Sequence, residues 1–386
     1  MKKIAIIGAS HFQQPLIEAA KKRGIETHVF AWKCGDIGEK TSDFFYPISI
    51  TEKEQIAQKC AEIGVDGVCT IASDLGNITV SYVADKLGLV SNSVNTVDRT
   101  TNKAKMRKSF AKNGDPSPKS VAYHSGSEID ISGLRFPLIV KPADRSGSRG
   151  VTKVKNESEL LEAIKLALDE SFGNTVMIEE FAEGDEYSVE FISWEGKHYP
   201  LAITKKYTTG APDFIETAHT IPGDLDQSLE KKVLDVVKQA LDHLGVEYGA
   251  SHSELKIDRA NDNRINIIEI GSRMGGDCIG SHLVKLATDY DFVDAVIDIS
   301  LGIKPPLPCE EGCQKTLESK RCSGIRFLFD EADLDVLKRI EADDRITIEY
   351  ESPVESIGDK VRDSSTRHGY CIFTAPSFET ASLYAR

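Results

Sequence analysis

The sequence predicts an α/β unit built on a doubly wound parallel sheet, followed by α+β units made of hairpins and interspersed helices. Three observations predict it. The first hundred or so residues alternate buried-strand and amphipathic-helix patterns, the grammar of a parallel βαβ sheet. At Gly114-Asp-Pro-Ser-Pro that grammar breaks and gives way to strand pairs with polar turns. Lys304-Pro-Pro-Leu-Pro marks a second boundary, after which a small α+β unit follows. The expected units are therefore 1–100, 101–302 and 303–386, and a chain of 386 residues has the length to bury real cores in each.

Taken in order, Ile4–Ile7 predicts a buried strand, Gln13–Arg23 a helix stopped by Gly24, and Glu26–Phe30 a second strand. Gly67–Ile71 reads as strand and Thr79–Leu87 as helix, stopped by Gly88. The first turn, Gly8-Ala-Ser-His-Phe, lacks the full dinucleotide fingerprint and reads as a scaffold turn. Ser10, His11 and Asp74 lie near predicted C-terminal strand edges, where open α/β sheets place ligands. Asn102–Asn113 predicts a short basic helix; Ser158–Ser171 and Gln227–Leu244 are clear helices, and Ser281–Leu301 is an apolar-periodic run ending at Gly302. The last unit reads as strand Gly324–Phe329, helix Leu334–Glu341, and strands Ile346–Glu351 and Gly369–Thr374.

Composition excludes several classes. A formal charge of −14 argues against a general nucleic-acid or anionic-membrane binder, because both require a basic surface. No apolar run approaches the length of a membrane helix, about 18 residues. Met-Lys-Lys-Ile-Ala-Ile-Ile-Gly runs straight into a strand pattern, and its apolar part is too short for a signal peptide. A cytoplasmic location is the default. The eight cysteines are scattered in mostly apolar contexts, which suits reduced thiols better than a disulfide framework.

The chemistry concentrates in five segments. Ser253-Glu-Leu-Lys-Ile-Asp and Ile265-Asn-Ile-Ile-Glu-Ile-Gly271 read as two strands joined by an Asn/Asp-rich turn. With the turn centred between Asn261 and Asp262, Glu254 lies across from Glu269, while Leu255, Ile257, Ile268 and Ile270 take the buried face. Opposed carboxylates about 5 Å apart repel. A divalent cation would turn that penalty into a site, and Lys256, Arg264 or Arg273 would otherwise neutralise the pair. Phe136-Pro-Leu-Ile-Val-Lys ends a buried strand on Lys141, whose ammonium must meet an anion or water. The loop after it, Asp144-Arg-Ser-Gly-Ser-Arg-Gly-Val, lies between two strands, so it is not a Walker loop. Gly147 and Gly150 let its backbone N–H groups converge as an anion nest, with Ser146 and Ser148 adding hydroxyls; an unliganded hairpin tip has the same sequence signature. Between Val176 and Glu190 a strand stops at paired glutamates. Backbone groups of Glu180, Phe181 and Ala182 there offer an adenine edge its partners, and Glu186 offers an acceptor for ribose hydroxyls; a charged interstrand loop is the plainer alternative. Arg273 follows Glu269 on the same strand face, placed to neutralise charge on a transferred phosphoryl group unless Asp277 or Glu269 occupies it.

Lys103, Lys141 with Ser146-Gly-Ser-Arg-Gly150, Glu179-Glu180-Phe-Ala with Glu186, Glu254, Glu269 and Arg273 stand in the order and spacing of the ATP-grasp enzymes, and the chain resembles that family along its whole length. Within it, the chain looks most like carboxylate–amine ligases related to bacterial L-amino acid (dipeptide) ligases, a likeness supported by the stretch Thr204 to Pro222 and the tail Arg367-His-Gly-Tyr370. The carbamoyl-phosphate synthase-like branch is more distant. The resemblance implies an N-terminal α/β domain, a split nucleotide-binding domain with a lid at about 115–182, and a small C-terminal α+β domain. It implies that Lys103 and Lys141 contact the α- and β-phosphates of ATP while Ser146, Gly147, Ser148 and Gly150 close over the β- and γ-phosphates. Glu179, Glu180, Phe181 and Ala182 would read adenine, Glu186 would hold ribose, and His219 would lie near nucleotide or substrate. Glu254 and Glu269 would ligate Mg²⁺, or Mn²⁺ in its place, and Arg273 and Lys141 would act in catalysis. Many relatives carry Asn two residues after the second metal glutamate; Gly271 stands there, so one metal ligand of that pattern is missing.

A carboxylate resists amines until its oxygen becomes a leaving group, and phosphorylation by ATP achieves that. The expected activity is an ADP-forming ligase that activates a carboxylate, an amino acid, as an acyl phosphate and joins it to an amine. Its partners would be small-molecule acids and amines, and a homodimer is common among look-alikes. The alternatives are a purine-pathway or bicarbonate-activating enzyme of the same fold, and a non-catalytic ATP-binding regulator. Substrate choice is expected around Lys205, Phe214, Glu216 and His219.

Overall fold

In the computed structural model, which describes residues 1–354 and 357–385, three sheets are arranged around one deep cleft. The first is parallel, in the order Phe44–Tyr46, Glu26–Phe30, Lys3–Ile7, Gly67–Cys69. Period-two alternation sends Ala5 and Ile7 into a core with Ile56, Val80 and Val83, and Ile4 and Ile6 into another with Leu16, Ile17, Phe292 and Ile297. Both faces are covered, as a parallel sheet requires. Helix Asp74–Leu87 starts a turn and a half earlier than its apolar pattern suggests, because Ser73 caps it by accepting from Gly76 N–H. It stops at Gly88, whose left-handed backbone ends the helix as expected.

Two helices, Val94–Thr101 and Lys103–Asn113, lead into the second sheet, which is antiparallel in the order Ser120–His124, Thr175–Glu180, Leu138–Pro142, Thr152–Val154. Helix Leu160–Glu170 buries Leu160, Ala163, Ile164 and Ala167 on one face of it, against Leu138, Val140, Val176 and Ile178. The third sheet has eight antiparallel strands: Arg264–Gly271, Gly249–Asp258, Asp185–Trp194, Lys197–Thr208, Glu216–Ile221, Cys322–Leu328, Gly369–Ala375 and Thr347–Glu351. Helix Gln227–Leu244 packs its apolar stripe of Leu229, Val233, Val237 and Leu241 on Tyr187, Val189, Leu255 and Ile267. The mixed α/β architecture is the one the sequence predicts.

Some details differ from the sequence reading. The strands of the last unit do not form a sheet of their own; Cys322–Leu328 pairs with Glu216–Ile221 and extends the large sheet. The run 281–301 is not one helix. A π-helical turn, Ile279–Leu283, continues into Val284–Thr288, which ends at left-handed Asp289, and Asp291 caps a separate helix, Phe292–Ser300. Apolar periodicity survives the break because both pieces face the same core. Cys309 and Cys313 are joined as a disulfide, against the expectation of reduced thiols throughout. Among the described residues, no helix is long and apolar enough to cross a membrane.

Candidate active site

The cleft, about 370 Å³, lies between the second sheet and the large sheet, with the parallel-sheet unit and the tail closing its far end. Its floor is the predicted hairpin. Glu254 pairs directly with Glu269 in the strand register. A bulge between Glu254 and Leu255 then shifts the register by one, so that Leu255 faces Ile267. Ile265 and Ile267 therefore join Leu255, Ile257 and Ile270 in the core, while Ile268, expected there, lines the cleft. The two carboxylates are neutralised by neither Lys256 nor Arg264. Lys103 donates to Glu269 at 2.9 Å, and Lys206 holds Glu254 in a closer contact, with Glu186 and Glu216 each 3.6 Å from its ammonium. Burial works against the charge on Glu254, but Lys206 and His252 hold its carboxyl well below the usual range. His252 lies 2.5 Å from Glu190 and 3.3 Å from Glu254; burial opposes its charge, yet these acids lift it to about 9. Burial raises the Glu186 carboxyl. Among the described residues, no group of three or more His, Cys, Asp or Glu forms a ready metal cage.

Lys141 ends its strand in a buried ion cluster. It lies 2.7 Å from Glu179, which also takes Arg107 at 2.8 Å, and all three side chains are nearly inaccessible. Glu179 differs from the expectation: its backbone pairs with Ser120 on one side and Ile139 on the other, and its side chain faces two cations. Neither is free for an adenine edge. Glu180 N–H donates to Lys119 O and Phe181 N–H to Pro137 O, whereas Ala182 N–H has no hydrogen-bond partner among the described residues. The Phe181 ring has Lys153 3.4 Å and Lys256 4.9 Å from its centroid, and Phe214 tilts against it.

The loop between Leu138–Pro142 and Thr152–Val154 arches over this floor. Gly147, Ser148 and Gly150 all have positive φ, at 71°, 59° and 68°, a curl that turns successive N–H groups one way. Ser148 Oγ donates to Phe214 O at 2.9 Å, so the loop touches the opposite wall; Ser146 lines the cleft beside it. Arg273 grips Asp74 with Nε and Nη2 at 2.8 and 3.0 Å, neither Asp277 nor Glu269 being its partner. The missing ligand position has a steric counterpart: a Cβ on Gly271 would stand 3.2 Å from the Arg273 guanidinium carbon.

At the end of the cleft nearest the tail, His219 is fully buried and 3.3 Å from Asp277, and burial lowers its pKa. Arg367, from the tail, takes both Asp277 oxygens and lies 3.6 Å from the Phe327 ring centroid. Phe214 and Glu216 line the cleft as expected, but Lys205 does not. Adjacent residues of a strand face opposite ways, so Lys206 enters the cleft while Lys205 pairs behind the sheet with Asp185 and Asp224. Sequence reasoning gave Lys206 and Arg107 no place in the site, and it named Asp277 only as a partner for Arg273 and Arg367 only as part of the tail motif. Lys206 was recoverable from that alternation; the others are partners fixed by long-range folding alone.

An ATP-grasp domain profile matches residues 134–281. The chain is 26% identical over 288 residues to an alanine–anticapsin ligase of Bacillus subtilis, a match covering 66% of this chain and 60% of that protein. The match thus spans less than two thirds of that relative's length. In structure it is similar to an L-amino acid ligase from Bacillus licheniformis, with TM-score 0.82 at 23% identity over 100% and 96% of the two chains. An N5-carboxyaminoimidazole ribonucleotide synthetase from Thermotoga maritima matches with TM-score 0.74 at 19% identity over 100% and 97%. Residues 134–281 are thus an ATP-grasp domain, and the chain as a whole has the ATP-grasp fold.

Proposed function

We propose that this chain is an ATP-dependent, ADP-forming ligase that activates a carboxylate, an amino acid, as an acyl phosphate and joins it to an amine. The observation that carries the proposal is the convergence, in one cleft, of opposed Glu254 and Glu269, buried Lys103, Lys141 and Lys206, and the curled loop 146–150. The similarity to alanine–anticapsin ligase supports the amino-acid substrate.

In this reading Ala182 N–H and the carbonyl of Glu180 meet adenine, with Phe181 beside it, and Glu186 takes the ribose hydroxyls. Lys103 and Lys141 bind the α- and β-phosphates, and Ser146, Gly147, Ser148 and Gly150 enclose the β- and γ-phosphates. His219 lies at the substrate end. The donor set fits a hard cation: two cross-strand carboxylates, each now balanced by a lysine, with room for phosphate oxygens to complete the shell. Mg²⁺, or Mn²⁺ in its place, would supply charge neutralisation on the phosphates there. The substrate carboxylate oxygen attacks the γ-phosphorus and ADP leaves. The amine then attacks the acyl carbon, phosphate departs with the C–O electron pair, and the amine loses a proton. Arg273 and Lys141 spread the phosphoryl charge through both steps, and the docked loop keeps water from the acyl phosphate. Each of the units 1–100, 101–302 and 303–386 contributes residues to the cleft wall. The protein acts in the cytoplasm.

The test is a phosphate-release screen of amino acids, singly and in pairs, with mass spectrometry of every hit. ADP with a condensed product is expected; stoichiometric AMP and pyrophosphate would refute the proposal.

A further inference from the structure

The loop that carries Arg273 is fastened to the parallel-sheet unit at three places. Asn77 Nδ2 donates to both the carbonyl and the hydroxyl of Ser272, each at 3.1 Å. Ala72 N–H donates to Met274 O at 3.2 Å. Between these, Arg273 makes its two-pronged contact with Asp74, a geometry that fixes the guanidinium plane as well as its distance. Asp74 opens helix Asp74–Leu87, and Asn77 lies three residues on, so both project from one helix face. On the other side Gly271 leaves the gap into which the guanidinium fits. The Arg273 side chain is only 12% exposed, yet it forms part of the cleft wall.

We infer that Asp74 is a positioning residue: it holds the Arg273 guanidinium at the cleft wall, with Asn77 and Gly271 completing the hold. Without it, the guanidinium has other anions to fall onto, because it already feels the charges of Glu269 and Glu254. A released Arg273 would then compete for the hairpin carboxylates. The parallel-sheet unit, outside residues 134–281, thereby sets the geometry of the phosphoryl site. The catalytic consequence rests on the ligase proposal; the hold itself does not.

The test is a double-mutant cycle of Asp74→Asn and Arg273→Ala, read as kcat and KM for ATP with a cognate acid and amine. Asp74→Asn should lower kcat about a hundredfold, the scale of a small misplacement, with KM for ATP within about threefold. In the Arg273→Ala background the same change should cost no further kcat, whereas a merely structural role gives additive losses. Additive losses, or wild-type kcat in Asp74→Asn, overturn the inference. If Asp74→Asn does not fold, Asn77→Ala replaces it in the cycle: no further loss beyond Arg273→Ala supports the hold, and additive losses overturn it. If the wild type forms no ADP with any acid and amine, the ligase proposal fails, and the hold is read by peptide-resolved phenylglyoxal labelling. Greater labelling of Arg273 in the variant than in the wild type supports it; equal labelling overturns it.

Discussion

Replacing Glu179 by Gln removes the negative charge held between Arg107 and Lys141, at about constant volume. The three side chains are 3%, 4% and 8% exposed, so water cannot take over the lost partner. Burial opposes ionisation of Glu179, but the two cations draw its carboxyl down from 4.5 to about 2. That depression corresponds to about 3 kcal/mol of stability at neutral pH. Because the folded value lies below the unfolded one, the contribution is full above pH 4.5 and is lost as pH falls through about 2. Urea unfolding at pH 7 should therefore show a loss of about 3 kcal/mol, the low end of the cost of breaking a buried pair. ATP affinity should fall with it. Burial already pulls the Lys141 ammonium below the usual lysine range, and without Glu179 it loses the acid that opposes that pull. Glu180→Gln is the internal control. Its partner Arg135 is 84% exposed, and the change should cost under about 1 kcal/mol. A loss under about 1 kcal/mol in Glu179→Gln would refute the reasoning, since the cluster would then not carry the energy its burial implies.

Other substitutions test other parts. Glu269→Gln should abolish ADP formation while leaving a folded protein by circular dichroism, because it halves the paired charge with little volume change; turnover with wild-type Mg²⁺ dependence would contradict this. Arg273→Ala should lower kcat by about 10²-fold or more while calorimetry shows ATP affinity changed far less; equal losses would indicate ground-state binding. Gly184→Ala should destabilise by more than about 1 kcal/mol in urea unfolding. Gly184 sits at φ +111°, and a Cβ there would run into the carbonyl of Ile257. Wild-type stability would show that the connector between the second sheet and the large sheet relaxes freely.

Much of this was legible in the sequence, and what was not has identifiable physical causes. Glu26–Phe30 and Gln227–Leu244 match their patterns at both ends, because local periodicity and stops coincide there. The opposition of Glu254 and Glu269 followed from period-two counting around the turn. The same counting misplaced Ile268, because a bulge adds a residue that no local pattern announces. Apolar periodicity could not show the break at Asp289, since the two short helices share one core. The ion partners were hidden for another reason. Lys103, Arg107 and Asp74 reach Glu269, Glu179 and Arg273 across 166, 72 and 199 residues of chain, and only the tertiary fold pairs them. The joining of the tail strands to the large sheet is likewise a pairing of edges, which alternation within each strand does not specify.

The transfer of oxygen between substrate and phosphate tests the central claim most directly. With ¹⁸O in the acid's carboxylate, an acyl phosphate broken by an amine must leave one labelled oxygen in the released phosphate, alongside ADP. Label found in AMP, or phosphate released without label, would contradict the account.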